Sequence, residues 1–287
     1  MRLRSLLFVP GDSERKFARA RDCGADALIL DLEDSVAPSE KANARAGVAG
    51  LIEPDAERAW TFIVRVNALD TGLTLDDLAA VVKPGLDAVL IPKVNGAADL
   101  ERVAHYLDAL EAKAGMASGS VKLASVATET PKAMFALGSY APPHPRLIAL
   151  TWGAEDLSAA LGATDNKEPD GSWTFPYQLA RARCLFAASA AEVPAIDTIY
   201  ADFRDAEGLE RDCRRSRRDG FAGRLAIHPD QVAPINRAYA PTETEIARAR
   251  KIVAAFEANP GAGALGVEGK MVDLPHLKAA RKILASI

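Results

Sequence analysis

Eight short apolar runs, each followed by a segment of helical period, make up most of the first 240 residues. The runs lie at 5–11, 27–34, 61–67, 88–94, 122–129, 147–153, 195–202 and 224–229. Continuous apolar runs are typical of strands that are buried on both faces of a parallel sheet. Eight strand–helix units fit a (β/α)8 barrel, which usually has about 250 residues. An open doubly wound sheet is the competing architecture, but the first βα turn, Pro10–Ser13, lacks the GxGxxG fingerprint. We predict an α/β fold, a (β/α)8 TIM barrel over residues 1–240.

The last part of the chain, residues 241–287, does not continue this pattern. A charged helix is predicted at 243–257, followed by a Gly-rich stretch at 259–266 and a second helical segment at 269–284. The stretch contains a literal GxGxxG, but it follows a helix instead of a strand, so we interpret it as a flexible connector. We predict a C-terminal helical lid.

Composition excludes several classes of function. Lys and Arg total 35 and Asp and Glu total 39, which gives a net charge of −4, and only 6% of residues are aromatic. This balance argues against a nucleic-acid partner. The cysteines, Cys23, Cys184 and Cys213, are too widely spaced for a disulfide framework or a thiolate zinc site. The apolar run Leu6–Val9 is too short for a signal peptide, and no stretch is long enough to span a membrane. We expect a cytoplasmic protein.

Ionisable or polar residues follow seven consecutive runs. They are Asp31, Glu33, Asp34, Arg65, Asn67, Lys93, Glu129, Glu155, Asp156, Asp197 and His228. In a (β/α)8 barrel, catalytic groups come from the carboxyl ends of several strands, so we expect these side chains to meet at one rim. The alternative is that they are scattered loop charges and surface salt bridges.

This set of residues is rich in carboxylates and poor in imidazoles and thiols. Such a set suits a hard cation, Mg²⁺ or Mn²⁺, instead of zinc. The cation would chelate a 2-oxo or 2-hydroxy acid and polarise its oxygen, while Arg65 pairs with a carboxylate or an enolate oxygen. Lys93 as a Schiff-base nucleophile is a weaker alternative, because neighbouring acids would keep it protonated.

At these residues the sequence resembles the citrate lyase beta-subunit and malyl-coenzyme A lyase family, within the HpcH/HpaI aldolase superfamily of (β/α)8 enzymes. The resemblance extends in order over nearly the whole chain. The matching stretches are RSLLFVPGD (4–12), GADALILDLEDSVAPSEKANAR (24–45), VRVN (64–67), IPKV (91–94), TET (128–130), WGAEDL (152–157), PAIDTIYADFRDAEGL (194–209), GRLAIHPDQV (223–232) and GKMVDLP (269–275).

The resemblance implies roles for individual residues. Glu129 and Asp156 match two direct Mg²⁺ ligands, and Arg65 matches an arginine that contacts the substrate and stabilises an enolate. Glu129 is also expected to contact the substrate through the metal. Asp273 matches a general acid/base on a C-terminal flap that closes over a neighbouring subunit's site. Further groups match residues that orient the metal's waters, among which the lysine is also a catalytic candidate: Asp31, Glu33, Asp34 and Lys93.

Two residues depart from the family pattern beside the predicted metal ligands. Thr128 stands where an aliphatic residue is common, and Trp152 replaces a common phenylalanine. Neither change removes a ligand, but both could reshape the acid pocket. Basic residues near the N-terminus, among them Arg4 and Lys16, could meet the phosphates of coenzyme A, or could be a solvated helix face.

The function implied is a Mg²⁺-dependent carbon–carbon lyase that acts on a 3-hydroxy-3-carboxyacyl thioester of coenzyme A, of the citramalyl, malyl or citryl type. Its products would be a 2-oxo acid and an acyl-CoA. One alternative is a malyl-CoA-type thioesterase on the same scaffold. Another is a citrate lyase beta subunit that acts on an acyl-carrier-protein thioester. A flap that reaches a neighbouring subunit implies a homo-oligomer, a trimer or a hexamer in the family.

Overall fold

The computed structural model describes residues 1–285. The chain divides into two compact units, Met1–Tyr239 and Ala240–Ile287. Among the described residues, no helix combines the length and the apolar character that a membrane span requires.

In the part of the chain that the structure describes, the first unit is built on a closed barrel of eight parallel strands in sequential order. The strands are β1 Ser5–Pro10, β2 Ala27–Asp31, β3 Thr61–Arg65, β4 Ala88–Ile91, β5 Lys122–Val126, β6 Leu147–Thr151, β7 Ala195–Asp197 and β8 Gly223–Ala226. β8 pairs with β1 and closes the ring. The prediction of a (β/α)8 barrel is therefore confirmed.

Helices cover the outside of the barrel. They are α1 Glu14–Ala20, α2 Lys41–Leu51, α3 Thr74–Val81, α4 Ala97–Lys113, α5 Ala133–Ala136, α6 Ala154–Leu161, α7 Phe175–Ala190, α8 Ala206–Asp219 and α9 Val232–Tyr239. Short 3-10 turns lie at Pro38–Glu40, Leu137–Tyr140 and Pro229–Gln231. One apolar core lies between the strands and the helices, and a second fills the barrel interior. This two-layer burial explains why the strands are continuous apolar runs.

The parallel arrangement determines where the predicted site residues lie. β2 and β3 pair in register, so that Asp31 stands directly beside Arg65 at the carboxyl ends of the two strands. All eight strands run in the same direction, so residues that follow any strand reach the same rim.

The second unit is not purely helical, and the predicted flexible connector is partly wrong. α10 (Glu243–Glu257) begins at a capping box formed by Thr242 and Glu245, and α11 spans Leu274–Leu284. Between them, β9 (Ala264–Val267) and β10 (Lys270–Asp273) pair as an antiparallel hairpin. Three residues of the Gly-rich stretch, 264–266, are therefore strand, stabilised by ladder hydrogen bonds that its glycines do not reveal. Apolar side chains of the unit form a small core: Ala249, Ile252, Phe256, Val272, Leu277 and Ala280.

Gly223 at the start of β8 provides a test of barrel packing. A Cβ there would lie 1.9 Å from the backbone oxygen of Leu3. We expect Gly223→Ala to lower the free energy of unfolding by about 3 kcal/mol, because backbone must move to relieve the clash. In Gly50→Ala on α2, the new Cβ has no neighbour within 4 Å, so this control should gain about 0.5 kcal/mol. Urea unfolding midpoints measure both effects, and equal midpoints would contradict the packing described.

Candidate active site

Arg65 and Asp31 form a bidentate ion pair at the barrel rim. Arg65 Nε lies 2.7 Å from Asp31 Oδ1, and Nη2 lies 2.7 Å from Oδ2. The guanidinium also lies over the Phe8 ring, with Cζ 4.6 Å from the ring centroid. Asp31 additionally accepts the backbone N–H groups of Glu33 and Ser35. Both its oxygens therefore accept hydrogen bonds from the protein, and Asp31 orients Arg65. Its predicted role toward the metal's waters stays a prediction.

Lys93 links three carboxylates. Its Nζ lies 3.0 Å from Asp34 Oδ2 and 3.2 Å from Asp156 Oδ1, and it also contacts Glu33 Oε1. Burial lowers the pKa of this ammonium, but Glu33 and Asp34 outweigh burial and raise the pKa above its ordinary value. Lys93 is therefore a fixed cation, which disfavours the Schiff-base alternative.

Glu129 is the most perturbed acid of the site. Its side chain is buried, and Oε2 accepts the backbone N–H of Lys93 at 2.6 Å. Lys93 has a φ of 52°, a left-handed backbone conformation that costs roughly 1–3 kcal/mol in a residue with a side chain. Burial, reinforced by the charges of Asp156 and Glu33, raises the pKa of Glu129 to about 8. The negative charge of buried Glu129 is little compensated by neighbouring cations, so this acid is suited to binding a metal cation.

Gly153 leaves the space that Glu129 occupies. A Cβ at Gly153 would lie 2.7 Å from Glu129 Cγ and 3.1 Å from Oε1. The Gly153 N–H donates to Thr128 Oγ1 at 3.3 Å, which fixes this turn beside the glutamate. Sequence reasoning missed this glycine, although its position just before α6, three residues ahead of Asp156, was a usable signal.

Seven ionisable side chains meet at this rim, five of them carboxylates and two of them cations: Asp31, Glu33, Asp34, Arg65, Lys93, Glu129 and Asp156. The excess of negative charge around a buried glutamate matches what a divalent cation neutralises. Within residues 1–285, no group of three or more His, Cys, Asp or Glu side chains is arranged as a metal cage. Mg²⁺ commonly takes only one or two carboxylates and completes its octahedron with water and substrate oxygens. Glu129 and Asp156 therefore fit such an ion.

A cavity of about 500 Å³ lies beside these carboxylates. Glu33, Asp34 and Lys93 line one side, and residues from α2 and from the segment between β3 and α3 line the other. This volume is within the range of small-molecule sites in proteins. Glu33, Asp34 and Lys93 of the cluster therefore face a space that can hold a ligand.

Some predicted rim groups lie outside the cluster: Asn67, Glu155, Asp197 and His228. Asp197 is fully buried and pairs with Arg181 on α7 and Arg224 on β8, so its carboxylate faces the helix layer and not the barrel mouth. Glu155 accepts a hydrogen bond from Asn166 at 3.1 Å. The expectation that every strand-end group converges is therefore wrong for Asp197, whereas Asn67 lines the same cavity as Glu33 and Asp34. For Glu155 and His228 it stays a prediction.

The assignment of Arg4 to coenzyme A is also wrong. Arg4 precedes β1 and thus lies at the amino ends of the strands, opposite the carboxylate cluster. Its guanidinium forms a bidentate pair with Asp26, with both N–O distances 2.8 Å. Lys16, by contrast, is exposed on α1, which follows the carboxyl end of β1. It stays a prediction.

Asp273 lies in the second unit, at the end of β10. It is the N-cap of α11, where its carboxylate accepts the backbone N–H of His276 at 3.4 Å and contacts the His276 ring. The hydrogen bond from His276 lowers the pKa of Asp273. The carboxylate is therefore ionised at neutral pH, and its predicted role as an acid/base stays a prediction.

The raised pKa of Glu129 predicts how stability depends on pH in the metal-free protein. The folded state keeps the Glu129 proton up to about pH 8, whereas an unfolded glutamate loses it near its ordinary value of 4.5. Between these values the folded state binds more protons, so the free energy of unfolding falls as the pH rises. We expect this fall to be smaller in Glu129→Gln, measured by urea unfolding in EDTA at several pH values.

Glu111→Gln is the control for that measurement. Burial would raise the pKa of Glu111, but hydrogen bonds from Arg146 outweigh it and lower the pKa. Its removal should therefore cost stability at neutral pH, where Glu129→Gln does not. Identical pH profiles for the wild type and Glu129→Gln would contradict the raised pKa.

Comparison with known proteins identifies relatives over nearly the full length. The model of the HpcH/HpaI aldolase/citrate lyase family matches residues 4–229. A (3S)-malyl-CoA thioesterase of Cereibacter sphaeroides strain KD131 is 39% identical, over 98% of this chain and 93% of the relative. The citrate lyase subunit beta of Escherichia coli K12 is 37% identical, over 98% of this chain and 92% of that subunit.

Solved structures agree with this result. Protein CitE from Mycobacterium tuberculosis, crystallised in complex with magnesium, acetoacetate and coenzyme A, superposes with a TM-score of 0.77. It is 32% identical and covers 99% of this chain and 97% of its own. Sequence and structure together show that the chain belongs to the HpcH/HpaI aldolase/citrate lyase family.

Proposed function

We propose that this protein is a Mg²⁺-dependent carbon–carbon lyase that acts on a 3-hydroxy-3-carboxyacyl thioester of coenzyme A, of the citramalyl, malyl or citryl type. The observation that carries the proposal is the buried Glu129 beside Asp156, at the same rim as the fixed guanidinium of Arg65. An acidic centre next to a fixed cation suits a substrate whose carboxylate and hydroxyl oxygens gain negative charge during the reaction.

Glu129 and Asp156 would hold the Mg²⁺ ion, with Mn²⁺ as a substitute. When bound, the ion supplies Lewis-acid polarisation of the substrate's hydroxyl and carboxylate oxygens. Lys93 holds Glu33 and Asp34 by its contacts with them, so that these acids can orient water beside the two ligands. The CitE structure with magnesium and coenzyme A supports this choice of ion and substrate class.

The proposed carbon–carbon cleavage needs no oxidant or reductant. A general base removes the hydroxyl proton, the carbon–carbon bond breaks, and a 2-oxo acid leaves together with the enolate of an acyl thioester. Arg65 hydrogen-bonds the enolate oxygen, and Asp31 fixes its orientation. The base returns the hydroxyl proton to solvent, and Asp273, which is ionised at rest, takes up a proton from solvent and delivers it to the enolate carbon. In the condensation direction, the ionised form that its lowered pKa favours removes that proton.

A thioesterase on the same scaffold is the second candidate. The 39% identity with a (3S)-malyl-CoA thioesterase over nearly the full chain favours it. Hydrolysis would use the same carboxylates and cation, but water would attack the thioester carbonyl and the carbon–carbon bond would stay intact. The likeness to citrate lyase subunit beta keeps a third form open, in which the thioester is carried by an acyl-carrier protein.

Product analysis tests the lyase assignment. We expect the purified protein with Mg²⁺ to release a 2-oxo acid and an acyl-CoA from at least one thioester in a panel of citramalyl-, malyl-, methylmalyl- and citryl-CoA. Chromatography of the thioesters and an enzymatic assay for 2-oxo acid measure the two products. Free coenzyme A together with an intact hydroxy diacid would instead establish hydrolysis.

Glu129→Gln tests whether the proposed metal ligand carries that activity. The amide preserves size but removes the charge that holds the cation, so we expect Mg²⁺-dependent turnover to fall by about 100-fold or more. Glu101→Gln, an exposed position on α4, is the matched control and should keep wild-type turnover. Retained turnover in Glu129→Gln would overturn the assignment of this ligand.

We further propose that the C-terminal unit is a lid that supplies Asp273 to the site of a neighbouring subunit, in a trimer or a hexamer. A mixing experiment tests this arrangement. Glu129→Gln and Asp273→Asn subunits should each be inactive alone, but co-expression should restore part of the activity, because some sites then combine an intact Glu129 with an intact Asp273. Mixed oligomers that stay inactive would show that each chain completes its own site.

A further inference from the structure

Asp197 is the most thoroughly hydrogen-bonded carboxylate near the site, although it does not face the barrel mouth. It is fully buried at the end of β7. Its donors are Trp152 Nε1 at 2.6 Å, Thr198 N at 2.9 Å, Arg181 Nη2 and Nε at 2.9 and 3.1 Å, Arg224 Nη2 at 3.2 Å, and Ser216 Oγ. Burial would raise the pKa of Asp197, but Arg224 and Arg181 outweigh it and hold the pKa well below its usual range. The carboxylate is therefore a fixed, charged acceptor.

The Trp152 indole connects this acceptor to the proposed metal ligands. Trp152 follows β6, is fully buried, and packs edge-on against Trp173 with the ring centroids 5.1 Å apart. The next residue, Gly153, lies directly against the Glu129 side chain. Asp156 follows in the first turn of α6. Any shift of Trp152 would therefore change both ligands together.

We propose that Asp197 is a positioning residue, which holds the Trp152 indole and thereby fixes the segment 152–156 that aligns Asp156 with Glu129. The inference rests on the proposed metal centre. Two hydrogen bonds anchor the segment from opposite sides: the indole N–H to Asp197, and the Gly153 N–H to Thr128 Oγ1. The hydrogen bond from the indole to ionised, buried Asp197 is of a stronger type than the bond from the Gly153 N–H to the neutral Thr128 hydroxyl.

Residue 152 is a tryptophan, and its indole N–H is the group that makes this anchoring possible. A phenylalanine, which the family resemblance leads one to expect there, could fill most of the same space but has no N–H to donate. This chain therefore anchors its acid-bearing turn by an interaction that a phenylalanine at the same position cannot make. The energetic consequence should appear in cation affinity and not only in stability.

Trp152→Phe is the direct test, with Mn²⁺ binding to the full-length protein measured by electron paramagnetic resonance titration. We expect the Mn²⁺ dissociation constant to rise about tenfold, the lower end of what losing a group that orients a metal ligand costs. Trp60→Phe is the matched control, because Trp60 packs on Phe17 and Phe62 at the start of β3. It should bind Mn²⁺ as the wild type does.

Ser216→Ala separates positioning from general destabilisation. Ser216 donates to Asp197 Oδ2, whereas Trp152 donates to Oδ1. We expect Ser216→Ala to lower the melting temperature without changing Mn²⁺ affinity. If Trp152→Phe fails to fold, the same titration on Asp197→Asn, which weakens the acceptor and leaves the indole in place, should show the same rise.

The possible results distinguish failure of the positioning role from failure of the proposed metal centre. Wild-type Mn²⁺ affinity in Trp152→Phe, or an equal loss in Ser216→Ala, would overturn the positioning role while the metal centre stands. A wild-type protein that binds no Mn²⁺ would overturn the metal centre, and the positioning role with it. Weaker binding confined to Trp152→Phe and Asp197→Asn supports the inference.

Discussion

The in-register pairing of β2 with β3 is the constraint on which the site depends. Because both strands end at the same level, Asp31 and Arg65 meet side by side and close a bidentate ion pair. A one-residue slip would turn one of these side chains to the other face of its strand and break the pair. The register is set by apolar side chains that pack on both faces of the sheet. The orientation of the guanidinium is therefore a consequence of barrel packing, and loop flexibility affects it little.

An imbalance of charge follows from this arrangement. Asp31 takes up two nitrogens of Arg65, and Lys93 is shared between Glu33, Asp34 and Asp156. Glu129 receives a backbone N–H and no ion pair with a cation among the described residues, so burial dominates its titration. In a low-dielectric site an acid of this kind is either protonated or bound to a cation. The same deficit explains why the metal-free protein should lose stability with rising pH and why a divalent ion should reverse that loss.

The barrel could be predicted from the sequence because apolar runs of strand length recur with helical segments between them. The meeting of the rim acids could be predicted because parallel strands all run in one direction, so their carboxyl ends lie at the same rim. The position of Arg4 at the opposite rim could also have been predicted from the sequence, because Arg4 precedes the first strand. Asp197 could not be placed, because side chains at strand ends alternate between the barrel and the helix layer. Which of the two it faces depends on Arg181 and Arg224, whose approach is a matter of tertiary packing. The left-handed backbone of Lys93 has no signal in the sequence either.

Four buried acids at or near the site, Asp31, Glu33, Glu129 and Asp197, divide into two groups by the direction in which their pKa values move. Burial would raise all of them, but arginines overcome it at Asp31 and Asp197, whose pKa values fall below the ordinary range. At Glu33 and Glu129 burial prevails and the pKa values rise. An acid held ionised by an arginine has its charge already compensated, so it serves to position its neighbours. An acid that burial keeps close to protonation gains most from a cation that displaces its proton. Opposite shifts within one rim therefore separate the groups that build the site from those available for chemistry.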